Sequence, residues 1–252
     1  ADHFKLLPEQ ITLACASHRG EDEHLRFLDL WMKTTGIVED WLHCGPHMPG
    51  HEETAHRYIR ENRKPTAKVN NCSGKHLGMM TTSLFLKEEP KNYWRYDSDR
   101  QKKLRRLFSE ISDFDYDRAE WGVDGCGIPT YAAPLYSMAK AMSFLIRPNK
   151  ASKDLQRACS TVLKSVAENP FFISGSKEFT SETIEKSKGQ CLIKVGAEGV
   201  YCGVLPDRGL AFALKTIDGS ARAAEPATGW LLQEIAGYHG YQMPKIKNWR
   251  GE

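Results

Sequence analysis

The sequence predicts an α+β fold in which helices pack on an antiparallel sheet. Stripes of apolar residues at helical spacing recur through most of the chain, whereas residues 191–217 contain three short β-prone runs separated by turn sequences. Because the predicted helices come in a block and do not alternate with strands, the pattern disfavours a doubly wound parallel sheet. The 252 residues contain no internal repeat and no low-complexity linker, so we expect one domain over residues 1–252.

Helical periodicity and end signals predict five helices before the strands. Residues 21–36 place Leu25 and Leu28 on one face and end at Gly36, which is typical of a helix C-terminus. Asp97 or Ser98 is the expected N-cap of the helix at 98–112. The apolar stripes are expected to be core rather than cofactor sites. The other helices are predicted over 76–87, from Pro134 onward, and over 152–168.

The β-prone runs predict an antiparallel meander. They are CLIKVG (191–196), GVYCGVLP (199–206) and GLAFALKTI (209–217). The segment Asp207-Arg208-Gly209 has the chemistry of a tight turn between the last two. A final helix is predicted over 226–237, with Pro226 at its first turn, where proline is well tolerated.

Composition disfavours nucleic-acid and membrane functions. The net charge is only +3, and we expect the basic residues between 100 and 106 to form a solvated helix face rather than a nucleic-acid patch, because no aromatic residues interleave them. No apolar run is long enough to cross a bilayer, and the start does not resemble a signal peptide. Seven cysteines, an odd number, favour a reducing compartment such as the cytoplasm. The basic residues concerned are Arg100, Lys102, Lys103, Arg105 and Arg106.

Two constellations carry possible chemistry. Cys72 lies at a predicted helix start near Lys75, which lowers a thiol pKa, and a second thiol at Cys126 would give a soft site suited to zinc. The wide spacing leaves two buried structural cysteines as the alternative. Ser17 and Lys215 form the second constellation, because a lysine at a strand end can act as base for a serine nucleophile. A solvated lysine is the alternative there.

The stretches that contain these residues resemble the signatures of the asparaginase II family, the zinc-linked type. They are ASHRGEDEH (16–24), CGPH (44–47), NNCSGKHLGMM (70–80), DGCGIPTYAAPL (124–135), KVGAEGV (194–200) and LKTIDGSARAAEPA (214–227). The resemblance extends from about Phe4 to Pro226. It implies a fold similar to serine β-lactamases and glutaminases. Without the resemblance, the CGPH segment contains the residue types of a metal site, but Gly45 and Pro46 favour a turn at a structural corner.

The resemblance also implies residue roles and an activity. Cys72, Lys75 and Cys126 resemble the family's zinc ligands, and Ser17 with Lys215 resembles one of its two serine–lysine pairs. The substrate pocket is expected to include His76 and Asp124. The implied reaction is hydrolysis of L-asparagine to L-aspartate and ammonia through a seryl acyl-enzyme.

Family members carry an upstream segment with a Ser-x-x-Lys motif, and the present sequence contains no replacement for it at a helix start. Arg19, beside Ser17, also stands where a small residue is usual. Three expectations follow. A second chain could supply the segment, or the chain works through Ser17 alone, or it keeps the fold and acts as a binding module or on another substrate. A homodimer or a bound second chain is the expected partner.

Overall fold

The chain folds into nine α-helices and five β-strands over the residues that the computed structural model describes, 1–149 and 151–238. The α+β prediction is therefore confirmed. The helices are α1 (Pro8–Ala14), α2 (Asp22–Thr35), α3 (Glu52–Arg60), α4 (Ser73–Phe85), α5 (Asp99–Ser112), α6 (Leu135–Ile146), α7 (Lys153–Glu168), α8 (Phe179–Lys186) and α9 (Ala221–Ala236). The strands are β1 (Trp121–Val123), β2 (Pro129–Tyr131), β3 (Leu192–Gly196), β4 (Val200–Leu205) and β5 (Leu210–Lys215).

Two antiparallel sheets are present in this part of the chain. The meander β3-β4-β5 forms as predicted, with Lys194 opposite Cys202 and Lys215 opposite Val200. Its first turn requires glycine at Gly199, which has a φ of +66° and where a Cβ would lie 1.9 Å from Oγ1 of Thr216. The second sheet is the hairpin β1-β2, which was not predicted from the sequence.

Local end signals placed the helices well where a cap was present. Gly36, whose φ is 73°, is the C-cap that ends α2, and the Ser98 side chain accepts a hydrogen bond from the Gln101 amide at the start of α5. The prediction of a helix that begins at Pro226 was wrong. Helix α9 begins at Ala221 because the Ser220 hydroxyl caps the Arg222 amide, so Pro226 lies inside the helix.

The basic stretch of α5 is not a uniformly solvated face, which corrects the prediction made for it. Lys102, Lys103 and Arg106 are exposed, but Arg100 is 7% and Arg105 is 5% exposed. The Arg105 guanidinium donates to Asp117 at 2.8 Å, and it also donates to a backbone carbonyl. Consecutive residues of a helix point in different directions around its axis. Within a run of basic residues, some side chains therefore face the protein interior.

Two clusters of buried apolar side chains form the described core. The first includes Leu13, Trp31, Leu77 and other residues between 13 and 128, and the second surrounds the meander. Helix α1 packs on α4 so closely that a Cβ at Gly74 would lie 2.2 Å from the Leu13 carbonyl oxygen. This contact fixes the end of α1 against the beginning of α4. None of the helices in the described ranges is both long and apolar enough to cross a membrane.

Candidate active site

Ser17 lies in an irregular segment that follows α1. Its amide donates to the carbonyl oxygen of Ile173 at 3.0 Å. Its hydroxyl oxygen accepts a hydrogen bond from Nζ of Lys194 at 2.7 Å, and this ammonium also donates to the carbonyl oxygen of Val195. The hydroxyl is thus held by a lysine on the first strand of the meander.

Lys194 is an unusual lysine, because it lies in the middle of a strand that is otherwise apolar. Its face of the sheet also presents Cys202, directly opposite on β4. Burial lowers the pKa of Lys194 from 10.5 to about 8; the neighbouring thiols Cys202, Cys72 and Cys15 oppose this change, and the positive charge of Lys75 adds to it. A lysine with this pKa is partly unprotonated near neutral pH, which is the form that can accept a proton.

Lys215 does not pair with Ser17, contrary to the prediction. It lies at the end of β5, two strands away from Lys194 on the same face of the sheet. Its side chain is exposed, and Nζ donates to the carbonyl oxygen of Thr216 at 2.6 Å. The sheet register is the reason, since it aligns Lys194 and not Lys215 with the segment after α1.

The fold brings Cys72, Lys75 and Cys126 together. Cys72 is the N-cap of α4, Lys75 lies in the first turn of that helix, and Cys126 comes from the loop between β1 and β2. Nζ of Lys75 lies 3.3 Å from Sγ of Cys126. A hydrogen bond from Cys126, together with Lys75, lowers the pKa of Cys72 to about 6 in spite of burial, and the pKa of Cys126 is raised. Cys72 is therefore the thiol that ionises more readily.

Asp124 and His76 border this cluster. Oδ2 of Asp124 lies 3.1 Å from Sγ of Cys126 and 3.9 Å from Nζ of Lys75. The Tyr93 hydroxyl accepts a hydrogen bond from the His43 amide and forms a 2.6 Å hydrogen bond with Nδ1 of His76. Tyr93 therefore links the buried His76 ring to the backbone at His43.

The donor set of the cluster fits a zinc ion. Two thiolates and one nitrogen are ligands that zinc favours, and the ring of the fully buried His76 forms a hydrogen bond with Cys126, as groups around a metal ligand commonly do. No three His, Cys, Asp or Glu side chains converge in a metal-binding arrangement anywhere within the described ranges, this cluster included, so the set depends on Lys75 as its third donor. Lys75 would have to lose its proton to bind zinc. Without a cation, burial lowers the pKa of Lys75, but the negative charge of the two thiols raises it by more, so the pKa lies above its ordinary value.

The fold and the site define an α+β protein with a serine–lysine pair beside a cluster of two thiols and a lysine. A family model for L-asparaginase II matches residues 1–252, and the chain therefore belongs to the L-asparaginase II family. A search of curated proteins gave no match. Membership indicates an asparaginase-type amidohydrolase with a small-molecule substrate.

Lys194 was not predicted from the sequence, although one signal was present. It is the first residue of the stretch KVGAEGV, and it interrupts the apolar run of Leu192, Ile193 and Val195. A charged residue inside an otherwise buried strand requires a partner, since burial of an unpaired ammonium is costly. That requirement is enough to mark Lys194 as a candidate functional residue.

Proposed function

We propose that the protein hydrolyses L-asparagine to L-aspartate and ammonia, with Ser17 as nucleophile and Lys194 as its base. The observation that carries this proposal is the 2.7 Å contact between Nζ of Lys194 and Oγ of Ser17, combined with a lysine pKa of about 8. A serine hydroxyl is a weak nucleophile until a base within hydrogen-bond distance removes its proton. Family membership supplies the amide substrate class.

The reaction proceeds in two stages. Neutral Lys194 accepts the Ser17 proton while Oγ bonds to the carbonyl carbon of the side-chain amide. The ammonium of Lys194 then gives its proton to the leaving nitrogen, the carbon–nitrogen bond breaks, and ammonia departs from a seryl ester of aspartate. In the second stage Lys194 takes a proton from water, hydroxide attacks the ester carbonyl, and the proton returns to Oγ as aspartate leaves.

We propose that Cys72, Lys75 and Cys126 hold zinc, which would keep the pocket in place. Two thiolates offset the charge of the ion, so little Lewis acidity remains for activation of water. His76 and Asp124 line the substrate pocket in this proposal. The Asp124 carboxylate is partly exposed, and its charge suits the ammonium group of an amino-acid substrate.

A groove beside the cluster supports the proposal of a polypeptide partner. It has a volume of about 730 Å³, and Lys75 is among its lining residues. Faces of α1, α4, α5 and α7 form its walls, which are largely apolar. We propose that a second copy of the chain or a separate polypeptide covers this groove, since exposed apolar surface of this kind favours association. The apolar lining includes Ile11, Met79, Phe85, Leu104 and Val162.

The seven cysteines lie within the described ranges and are all free, which supports a reducing compartment, and we propose the cytoplasm. None of them forms the kind of bridge that an oxidising compartment promotes.

Ammonia release from L-asparagine by purified protein tests the proposal. Ser17→Ala, Lys194→Ala and the double variant should share one low rate, because a nucleophile and its base act as a unit. Lys215→Ala is the matched control, since it removes a lysine from the same sheet face, and it should keep the wild-type rate. A rate unchanged in Ser17→Ala, or single losses that multiply in the double variant, would contradict the assignment.

A further inference from the structure

A buried imidazole directly follows the candidate nucleophile. His18 is 1% exposed, and its Nε2 lies 2.8 Å from Oγ of Ser73, which is 0% exposed. We propose that His18 and Ser73 are positioning residues, whose hydrogen bond holds Ser17 in place against Lys194. This inference rests on the proposed function, because it concerns the geometry of the pair that we assign to catalysis.

The hydrogen bonds around His18 define its protonation. The Gly20 amide donates to Nδ1 at 3.1 Å, so Nδ1 carries no hydrogen. The ring hydrogen is therefore on Nε2 and is donated to Oγ of Ser73, whose own hydrogen is donated to the carbonyl oxygen of Lys68 at 2.9 Å. Burial keeps the imidazole neutral by lowering its pKa well below 6.5, and the positive charge that His24 and His47 would carry acts in the same direction.

Both ring nitrogens of His18 are thus engaged, and the ring is enclosed. It has no free lone pair for a substrate proton, which excludes it as a general base. Its role is instead to connect two parts of the chain. Ser73 is the first residue of α4, and the His18 amide makes a second connection to the same region by donating to the Asn71 carbonyl oxygen at 3.1 Å.

The connection matters because Ser17 lies in a segment without regular secondary structure. The segment is held on one side by the bond between the Ser17 amide and Ile173, and on the other by the two bonds from His18. Lys194 approaches from β3, which is a separate element. Misplacement of a reacting group by about 1 Å costs on the order of 100-fold in rate, so anchors on both sides of Ser17 are needed to keep its hydroxyl on Nζ.

Two substitutions break the link in different ways. Ser73→Ala leaves Nε2 of His18 without an acceptor. His18→Asn retains an oxygen that can accept the amide two residues later, as asparagine commonly does in turns, but the shorter side chain cannot reach Ser73. Each should lower kcat for asparagine by about 10-fold or more, with KM changed by less than about 3-fold, because the defect lies in alignment and not in substrate binding. The double variant should be no worse than either single variant.

Ser83→Ala is the matched control. Ser83 lies on the same helix, is also 0% exposed, and donates to Glu88 at 3.3 Å, far along the chain from Ser17. It should lower the melting temperature to a similar extent and leave kcat unchanged.

Hydrogen exchange read by mass spectrometry on the peptide that covers residues 16–20 supplies a readout independent of activity. Exchange should be about 10-fold faster in Ser73→Ala and His18→Asn, and unchanged in Ser83→Ala. Wild-type kcat and exchange in Ser73→Ala would overturn the proposal, as would an equal loss of kcat in Ser83→Ala. If Ser17→Ala keeps full activity, the proposed function fails, whereas the exchange data still decide whether His18 and Ser73 anchor the segment.

Discussion

Replacement of Lys194 by methionine should abolish amidase activity and yet make the folded protein more stable. The pKa of Lys194 falls from 10.5 to about 8 on folding, which corresponds to roughly 3 kcal/mol that disfavours its charged form in the folded state. Partial exposure to solvent and the lost hydrogen bond to Ser17 reduce the gain, so we expect Lys194→Met to stabilise by about 1–2 kcal/mol at pH 7. For a chain of this length the melting temperature should rise by roughly 3–6 °C.

The pH dependence of this difference identifies its cause. Below pH 8 both the folded and the unfolded wild type bind the proton on Lys194, so the full penalty is present. Between pH 8 and 10.5 the folded protein has released this proton while the unfolded chain retains it, and the free energy of unfolding of the wild type rises. The advantage of Lys194→Met should therefore shrink across this window.

Urea unfolding of the wild type and of Lys194→Met from pH 7 to 10.5 gives the free energy of unfolding of each protein. The difference between the two values cancels the contribution of groups that titrate in both proteins. Lys215→Met is the control, and an exposed lysine should change stability by less than about 0.5 kcal/mol. A variant that is less stable than wild type at pH 7, with a difference that stays constant to pH 10.5, would refute the reasoning. In the wild type, kcat/KM should rise with pH and level off above pH 8, as neutral Lys194 becomes the main form.

Two further predictions concern the proposed zinc ligands and the contact between α1 and α4. Cys126→Ser should lose bound zinc on elemental analysis, whereas Cys159→Ser, which removes a buried thiol on α7, should retain it; equal zinc in both would contradict the ligand assignment. Gly74→Ala should destabilise by about 2 kcal/mol in urea, because its Cβ meets the Leu13 carbonyl oxygen, and Gly122→Ala, which has open space, should not. Equal stability of the two alanine variants would show that α1 moves away from α4 without cost.

Sequence determined the elements with local signals more reliably than those that depend on distant contacts. Gly36 and Ser98 ended and began helices as expected, because a left-handed glycine and a serine cap act within one turn. The start of α9 was predicted wrongly from Pro226, because proline favours the first turn of a helix but does not define it. The N-cap that begins the helix is Ser220. The hairpin β1-β2 was missed because the glycines within and between its strands resemble loop composition, and Gly122 weakens the strand pattern.

The candidate site shows the same division. The motifs grouped Cys72 and Cys126 as ligands, and the structure brings the two thiols together although 54 positions separate them in the numbering. The choice of Lys215 over Lys194 failed for a different reason. Both lysines lie on one face of the meander, and only the order and register of the strands decide which of them meets the segment after α1. Register is set by the whole sheet, and a pattern within one strand does not contain it.

The bond between the Ser17 amide and Ile173 has a stereochemical consequence for the proposed reaction. In many serine hydrolases the nucleophile's own amide stabilises the negative oxygen of the tetrahedral intermediate. Here that hydrogen is already donated to a backbone carbonyl at 3.0 Å. The Ser17 amide is therefore not available to the negative oxygen of the intermediate. In the proposed reaction that oxygen takes its hydrogen bonds from other donors, so groups other than the Ser17 backbone set its position in the pocket.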